Sequence, residues 1–183
     1  MPELYLALMH YPVVNKNGVT IASAVTNLDL HDIARVSKTY GIRSFYVVTP
    51  LNDQQVFVER LVSHWKTGAG STYNPSRKEA LNLVNIKASL DDVILDINSK
   101  ELKTVVTSAR KNDHSLSFNT LRNQISNNIP HLLMFGTAWG LEKGFIQEAD
   151  YILDPIMGTS GYNHLSVRSA VSITLDRLLG NHL

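Results

Sequence analysis

Cysteine is absent from the 183 residues, which excludes disulfides, thiolate nucleophiles and cysteine-ligated zinc. The seven histidines are scattered along the chain, so no metal is expected. Long apolar runs are missing too. Nothing approaches the roughly 18 residues that a membrane helix needs, and residues 1–10 carry no basic segment ahead of an apolar signal core. A cytoplasmic protein without a membrane partner is expected. An excess of either charge is lacking: the net charge is +1, and the first 90 residues hold nine Lys/Arg against six Asp/Glu while the rest hold eight against ten. That falls short of the basic stripe that announces nucleic-acid binding, so an RNA partner needs other support. Neither GxGxxG nor GxxxxGK[ST] occurs, which disfavours a nucleotide-dependent oxidoreductase or an NTPase.

What is present reads as globular. With 44% hydrophobic and 18% charged residues, residues 1–183 fit one domain, and no linker, low-complexity tract or solenoid repeat divides them. Apolar strand-like runs occur at 4–9, 45–49, 83–86, 104–107, 132–135 and 151–153. Helix-compatible stretches fall at 29–40, 53–66, 90–99, 117–127 and 166–179. This alternation predicts an α/β fold with a mainly parallel sheet flanked by helices. The last helix is the clearest, because Val167, Ala170, Val171, Thr174, Leu175 and Leu178 recur at three- and four-residue spacing between Ser166 and Gly180 as caps. The segment 67–77, with its glycines, serines and Pro75, reads as a loop.

Open parallel sheets bind ligands beyond the carboxyl ends of their strands, so three loops carry the chemistry. The first runs Thr107-Ser108-Ala109-Arg110; by itself it also fits an ordinary strand-to-helix turn. The second holds Gly136, Gly140 and Gly144, three glycines spaced by four, which suit close backbone approach to a flat or bulky ligand. The third, 154–166, mixes glycines, an apolar pair and hydrogen-bonding side chains. It suits a purine edge and face, and equally a surface loop.

FGTAWGL at 135–141 and YNHLSVRSAVSITLDRLLG at 162–180 resemble the cofactor-binding signatures of SPOUT methyltransferases. SAVTNLDLHDIARVSKTYGI at 23–42, VVTPL at 47–51, HWKTGAGSTYNPSRKEAL at 64–81 and VVTSAR at 105–110 resemble one subgroup of that family. Its members are small RNA methyltransferase-like domains related to bacterial tRNA guanosine-N1 methyltransferases and sometimes joined to them. The resemblance implies an S-adenosylmethionine-dependent RNA methyltransferase with a C-terminal deep trefoil knot, working as a homodimer on structured RNA, tRNA or rRNA. Carried over by position, it makes Thr107, Ser108, Phe135, Gly136, Gly140, Ile156, Gly158, Asn163, Leu165 and Ser166 the cofactor contacts. It does not transfer the substrate, because the RNA-binding domain of the tRNA guanosine-N1 enzymes has no counterpart in these residues.

Methyl transfer from a sulfonium is a direct displacement that needs an aligned acceptor and often a base, with no metal. Asp113 and His114 are candidates for the base and Arg110 for stabilising charge on the acceptor; all three also fit a solvated loop. His164 is a further candidate but, at the head of a packed helix, is expected to be structural; Trp139 is expected to fill the core or a dimer interface, and Arg168 to pair with an acid. Lys66, Arg77 and Lys78, with Arg110 and Lys111, form a candidate phosphate-binding face. The rival class is a non-catalytic knotted module that binds S-adenosylmethionine and serves as an RNA-binding or regulatory partner.

Overall fold

The computed structural model describes residues 2–181. Six strands form one parallel sheet: β1 (Leu4–Met9), β4 (Phe45–Val48), β5 (Val84–Lys87), β6 (Lys103–Thr107), β7 (His131–Gly136) and β8 (Tyr151–Leu153), in the order β5-β4-β1-β7-β6-β8. Register is set along the centre by Leu4 against His131 through Met9 against Gly136, and by Lys103 against His131. The strands read as continuous apolar runs because both faces are covered. Leu6, Leu8, Phe45, Val47, Val105, Leu133 and Phe135 point to one face, and Ala7, Met9, Tyr46, Val48, Val106, Leu132 and Met134 to the other.

Against the first face lie α1 (Asn27–Thr39), α2 (Asn52–Lys66), α6 (Phe118–Ile125) and α8 (Val167–Leu179). The expected stripe of α8 is realised: Val171, Thr174, Leu175 and Leu178 are buried, and the helix packs on α1 and α6. Ser166 caps its start by accepting from the Ser169 amide, whereas Gly180 ends it with extended backbone (φ −65°, ψ 147°). The other face is covered in part by α5 (Leu90–Ile97), which opens on a Ser89–Asp92 capping box.

Two regions differ from the sequence expectation. The segment 67–77 is largely helical, with α3 (Gly70–Tyr73) followed by α4 (Pro75–Leu81). Asn74 accepts from the Arg77 amide and Pro75 takes the first turn, so residues that read as turn formers are a helix start. Secondly, a hairpin of β2 (Val13–Val14) and β3 (Thr20–Ile21) and a short α7 (Lys143–Gln147) were too brief to leave a periodic signal.

Candidate functional site

Strands β7, β6 and β8 are neighbours and parallel, so the loops after Thr107, Gly136 and Leu153 leave the sheet at the same end. Their proximity is fixed by direct bonds. Thr107 Oγ1 donates to the Met134 carbonyl at 3.1 Å, joining β6 to β7. The Leu116 amide donates to Ile152 O (2.7 Å) and the Asp154 amide to Leu116 O (2.9 Å), while the Ser115 hydroxyl bonds to the Asp154 carboxylate. Asn163 Nδ2 donates to Ala109 O at 2.9 Å and clasps the third loop to the first.

The predicted contacts divide by how they could meet a ligand. Phe135 is fully buried in the core, leaving only its backbone available. The Ser166 hydroxyl is engaged in capping α8. Gly140 and Gly158 have open space where a Cβ would stand, so their backbones can be approached closely. Ile156 is half-buried, and Leu165, Met157 and Tyr162 are exposed beside Asn163. Ser108 accepts from the Arg110 amide through its hydroxyl. The set offers backbone amides and carbonyls together with apolar side chains, which is the donor and surface chemistry an adenosyl group needs.

Arg110, Asp113 and His114 all project as exposed side chains, and among the described residues none forms an ion pair. His164, expected to be structural, is also exposed, its ring tilted against Tyr162 at 5.4 Å. Trp139 is 60% exposed and therefore does not fill the core. Arg168 pairs with Asp29 at 3.2 Å and Asp32 at 3.5 Å, as expected of it.

Two of the candidate phosphate-binding side chains are drawn into packing. Arg77 lies 4.8 Å over the Trp65 ring, whose edge contacts involve His31 and His64. Lys66 is half-buried with Nζ 3.4 Å from the Val84 carbonyl, and burial holds its pKa below the usual lysine value. Lys78, Arg110 and Lys111 remain exposed.

Sequence reading missed what supports the glycine loop. The β2–β3 hairpin is knitted onto it: Val14 N donates to Gly140 O (2.9 Å), Trp139 N to Val14 O (3.0 Å) and Glu142 N to Pro12 O (3.2 Å). Glu142 caps α7 by accepting from the Phe145 amide, and backbone amides hold its carboxyl below the usual range. Beneath the loop lies His10, completely buried, its pKa pushed down to about 4 by desolvation against the opposing charge of Asp29. The signal available was a lone polar residue ending the apolar run of β1.

A family described as SAM-dependent RNA methyltransferase matches residues 3–180. A tRNA (guanine-N(1)-)-methyltransferase of Oleidesulfovibrio alaskensis is 42% identical over 183 residues, 99% of this chain and 43% of that protein. The chain thus spans less than half the length of that relative. An uncharacterized protein of Aquifex aeolicus is 38% identical over 184 residues, 98% of this chain and 90% of the relative. The crystal structure of a TrmH/SpoU tRNA modifying enzyme of A. aeolicus superposes with a TM-score of 0.58 at 15% identity, covering 98% of this chain and 75% of that one.

Proposed function

The chain belongs to the SAM-dependent RNA methyltransferases, and we propose that it methylates a nucleotide of structured RNA, tRNA or rRNA, in the cytoplasm, as a homodimer. The observation that carries this is the meeting of three loops at the carboxyl ends of β7, β6 and β8, closed by the bond from Asn163 to Ala109.

S-adenosylmethionine supplies a methyl group on a sulfonium that is open to direct displacement. The chain's part is to bind and orient. The backbones at Phe135, Gly136, Gly140, Ile156 and Gly158 would face the adenosyl group, with Leu165 as apolar cover and Thr107, Ser108, Asn163 and Ser166 framing the loops. Asp113 or His114 would take the acceptor's proton and Arg110 would face charge developing on the acceptor. Lys78, Arg110 and Lys111 would meet phosphates, and so few cations imply modest, salt-sensitive RNA affinity.

The course of the chain supports the knot. Strand β8 lies between β6 and the bridge at Leu116, and the segment after it passes the loop from Ser108 to Ser115 before α8 reaches α1. A shallow groove between α1 and α8, lined by Asp32, Arg35, Val36, Ser169, Ser172 and Ile173, supports a second copy seated there, and the exposed Trp139 offers further apolar surface to a partner. Sedimentation at micromolar concentration should give a dimer of the 20.4 kDa chain; a monomer would remove that part of the proposal.

Calorimetry tests the site: S-adenosylmethionine and S-adenosylhomocysteine should each bind once per chain, and absence of heat and thermal shift with both would overturn it. One observation favours a second reading, a non-catalytic binding module, because Arg110, Asp113 and His114 have no ion-pair partner among the described residues to orient them. Transfer of labelled methyl to RNA separates the two.

A further inference from the structure

His10 is the first residue after the central strand β1 and is completely buried. A polar ring in such a place is costly unless it is hydrogen-bonded; Nε2 has no hydrogen-bond partner among the described residues, and the bond that Nδ1 makes leads to the glycine loop. His10 Nδ1 lies 2.9 Å from Ser23 Oγ, and Ser23 Oγ lies 2.5 Å from Thr137 Oγ1. The Thr137 hydroxyl donates to the Met9 carbonyl at 3.2 Å, and the Thr137 amide donates to the same oxygen at 3.2 Å. With the threonine proton placed on Met9, the Ser23 hydroxyl donates to Thr137 and the imidazole Nδ1–H donates to Ser23. Ser23 is fixed from the backbone side as well, its amide donating to His10 O at 2.8 Å.

Thr137 starts the turn that carries the candidate cofactor contacts. Its carbonyl accepts from the Gly140 amide at 2.9 Å, and within the turn Ala138 has φ 50° and Gly140 φ 102°. A left-handed alanine is disfavoured by roughly 1 kcal/mol, and such a conformation persists only where its surroundings over-determine it. The hydroxyl chain from His10 supplies one anchor at the start of this turn, and the β2–β3 hairpin supplies the other at its end.

We propose that His10 is a positioning residue for the cofactor loop, acting through Ser23 on Thr137 so that the 137–140 turn presents its backbone to the adenosyl group. This rests on the site assigned above. His10 touches no ligand; it holds the residue that shapes the loop. Replacing any one link should loosen the turn without opening the core at Ser23 or Thr137, where the removed group is a single hydroxyl.

The test is calorimetric titration of S-adenosylhomocysteine into the wild type and into His10→Leu, His10→Asn, Ser23→Ala and Thr137→Val, each checked by thermal melting. Ser23→Ala, Thr137→Val and His10→Leu should each bind about tenfold more weakly. His10→Asn, whose amide N–H can replace Nδ1–H, should recover most of the affinity. The double variant His10→Leu/Ser23→Ala should be no weaker than its worse parent, because both cut one chain. Folded Ser23→Ala and Thr137→Val proteins with wild-type affinity, or additive losses in the double variant, would overturn the positioning role while leaving the site intact. A wild type that does not bind the ligand would overturn the site, and this role with it.

Discussion

A Cβ on Gly136 would lie 2.7 Å from the Leu141 backbone nitrogen and 2.8 Å from Leu141 Cγ, so the crowding there comes from the chain's own turn. At Gly140 the space is open, but φ 102° disfavours any side chain. Gly136→Val should therefore lower both the melting temperature and cofactor binding, while Gly140→Ala should weaken binding with a penalty to stability of only about 1 kcal/mol. Calorimetry alongside thermal melting checks both; unchanged affinity in the two folded variants would contradict the placement. The spacing of the glycines was legible in the sequence, but not that one serves its neighbour and the other its own backbone angle. His10 carries a second expectation at this scale. Its pKa falls from 6.5 to about 4 on burial, so between those values the unfolded chain binds a proton that the folded chain does not. Stability should be full above about pH 6.5 and decline as pH falls toward 4, by about 3 kcal/mol from His10 alone. Burial shifts His31 and His131 in the same direction. Urea midpoints at pH 7 and pH 5 should differ clearly in the wild type and less in His10→Asn; the same midpoint difference in both proteins would exclude His10 as a source.

Among the elements, α8 is held to α1 by packing and by Arg168, whose guanidinium meets Asp29 and Asp32. Asp29 is buried and also accepts from the Thr26 hydroxyl at 2.6 Å. Removing Arg168 leaves that carboxylate with one partner fewer, and with the arginine side chain 37% exposed the cost should be about 1 kcal/mol. Arg168→Ala should lower the free energy of urea unfolding by that amount and Arg168→Lys by less; an unmoved midpoint in Arg168→Ala would mean the pair adds nothing. The long elements were readable because their apolar periods extend over several turns or a whole strand, as with the α8 stripe and the run from Leu4 to Met9. The β2–β3 hairpin was not, since two residues per strand show no alternation. Segment 67–77 misread for a different reason: Asn74 and Pro75 are favoured both in turns and at helix starts, and only packing of α4 against α1 and α2 decides.

For the whole molecule, the order β5-β4-β1-β7-β6-β8 is what turns three separated sequence segments into one place. No local pattern reveals that β7 inserts between β1 and β6; the alternation of strands and helices predicts a parallel sheet without its order. The family resemblance named residues of all three loops as expected cofactor contacts, and the sheet order and the Asn163–Ala109 bond bring those loops together; the catalytic candidates have no ion-pair partner among the described residues. Methyl transfer itself separates an enzyme from a binding module. The protein and labelled S-adenosylmethionine should be incubated with total RNA from a strain lacking the gene, and any modified nucleoside mapped by mass spectrometry. The expected result is label in one nucleoside of tRNA or rRNA, lost in Arg110→Ala and Asp113→Ala while cofactor binding persists. RNA that accepts no methyl group at any salt concentration, from protein that still binds the cofactor, would contradict the enzyme and leave the binding module.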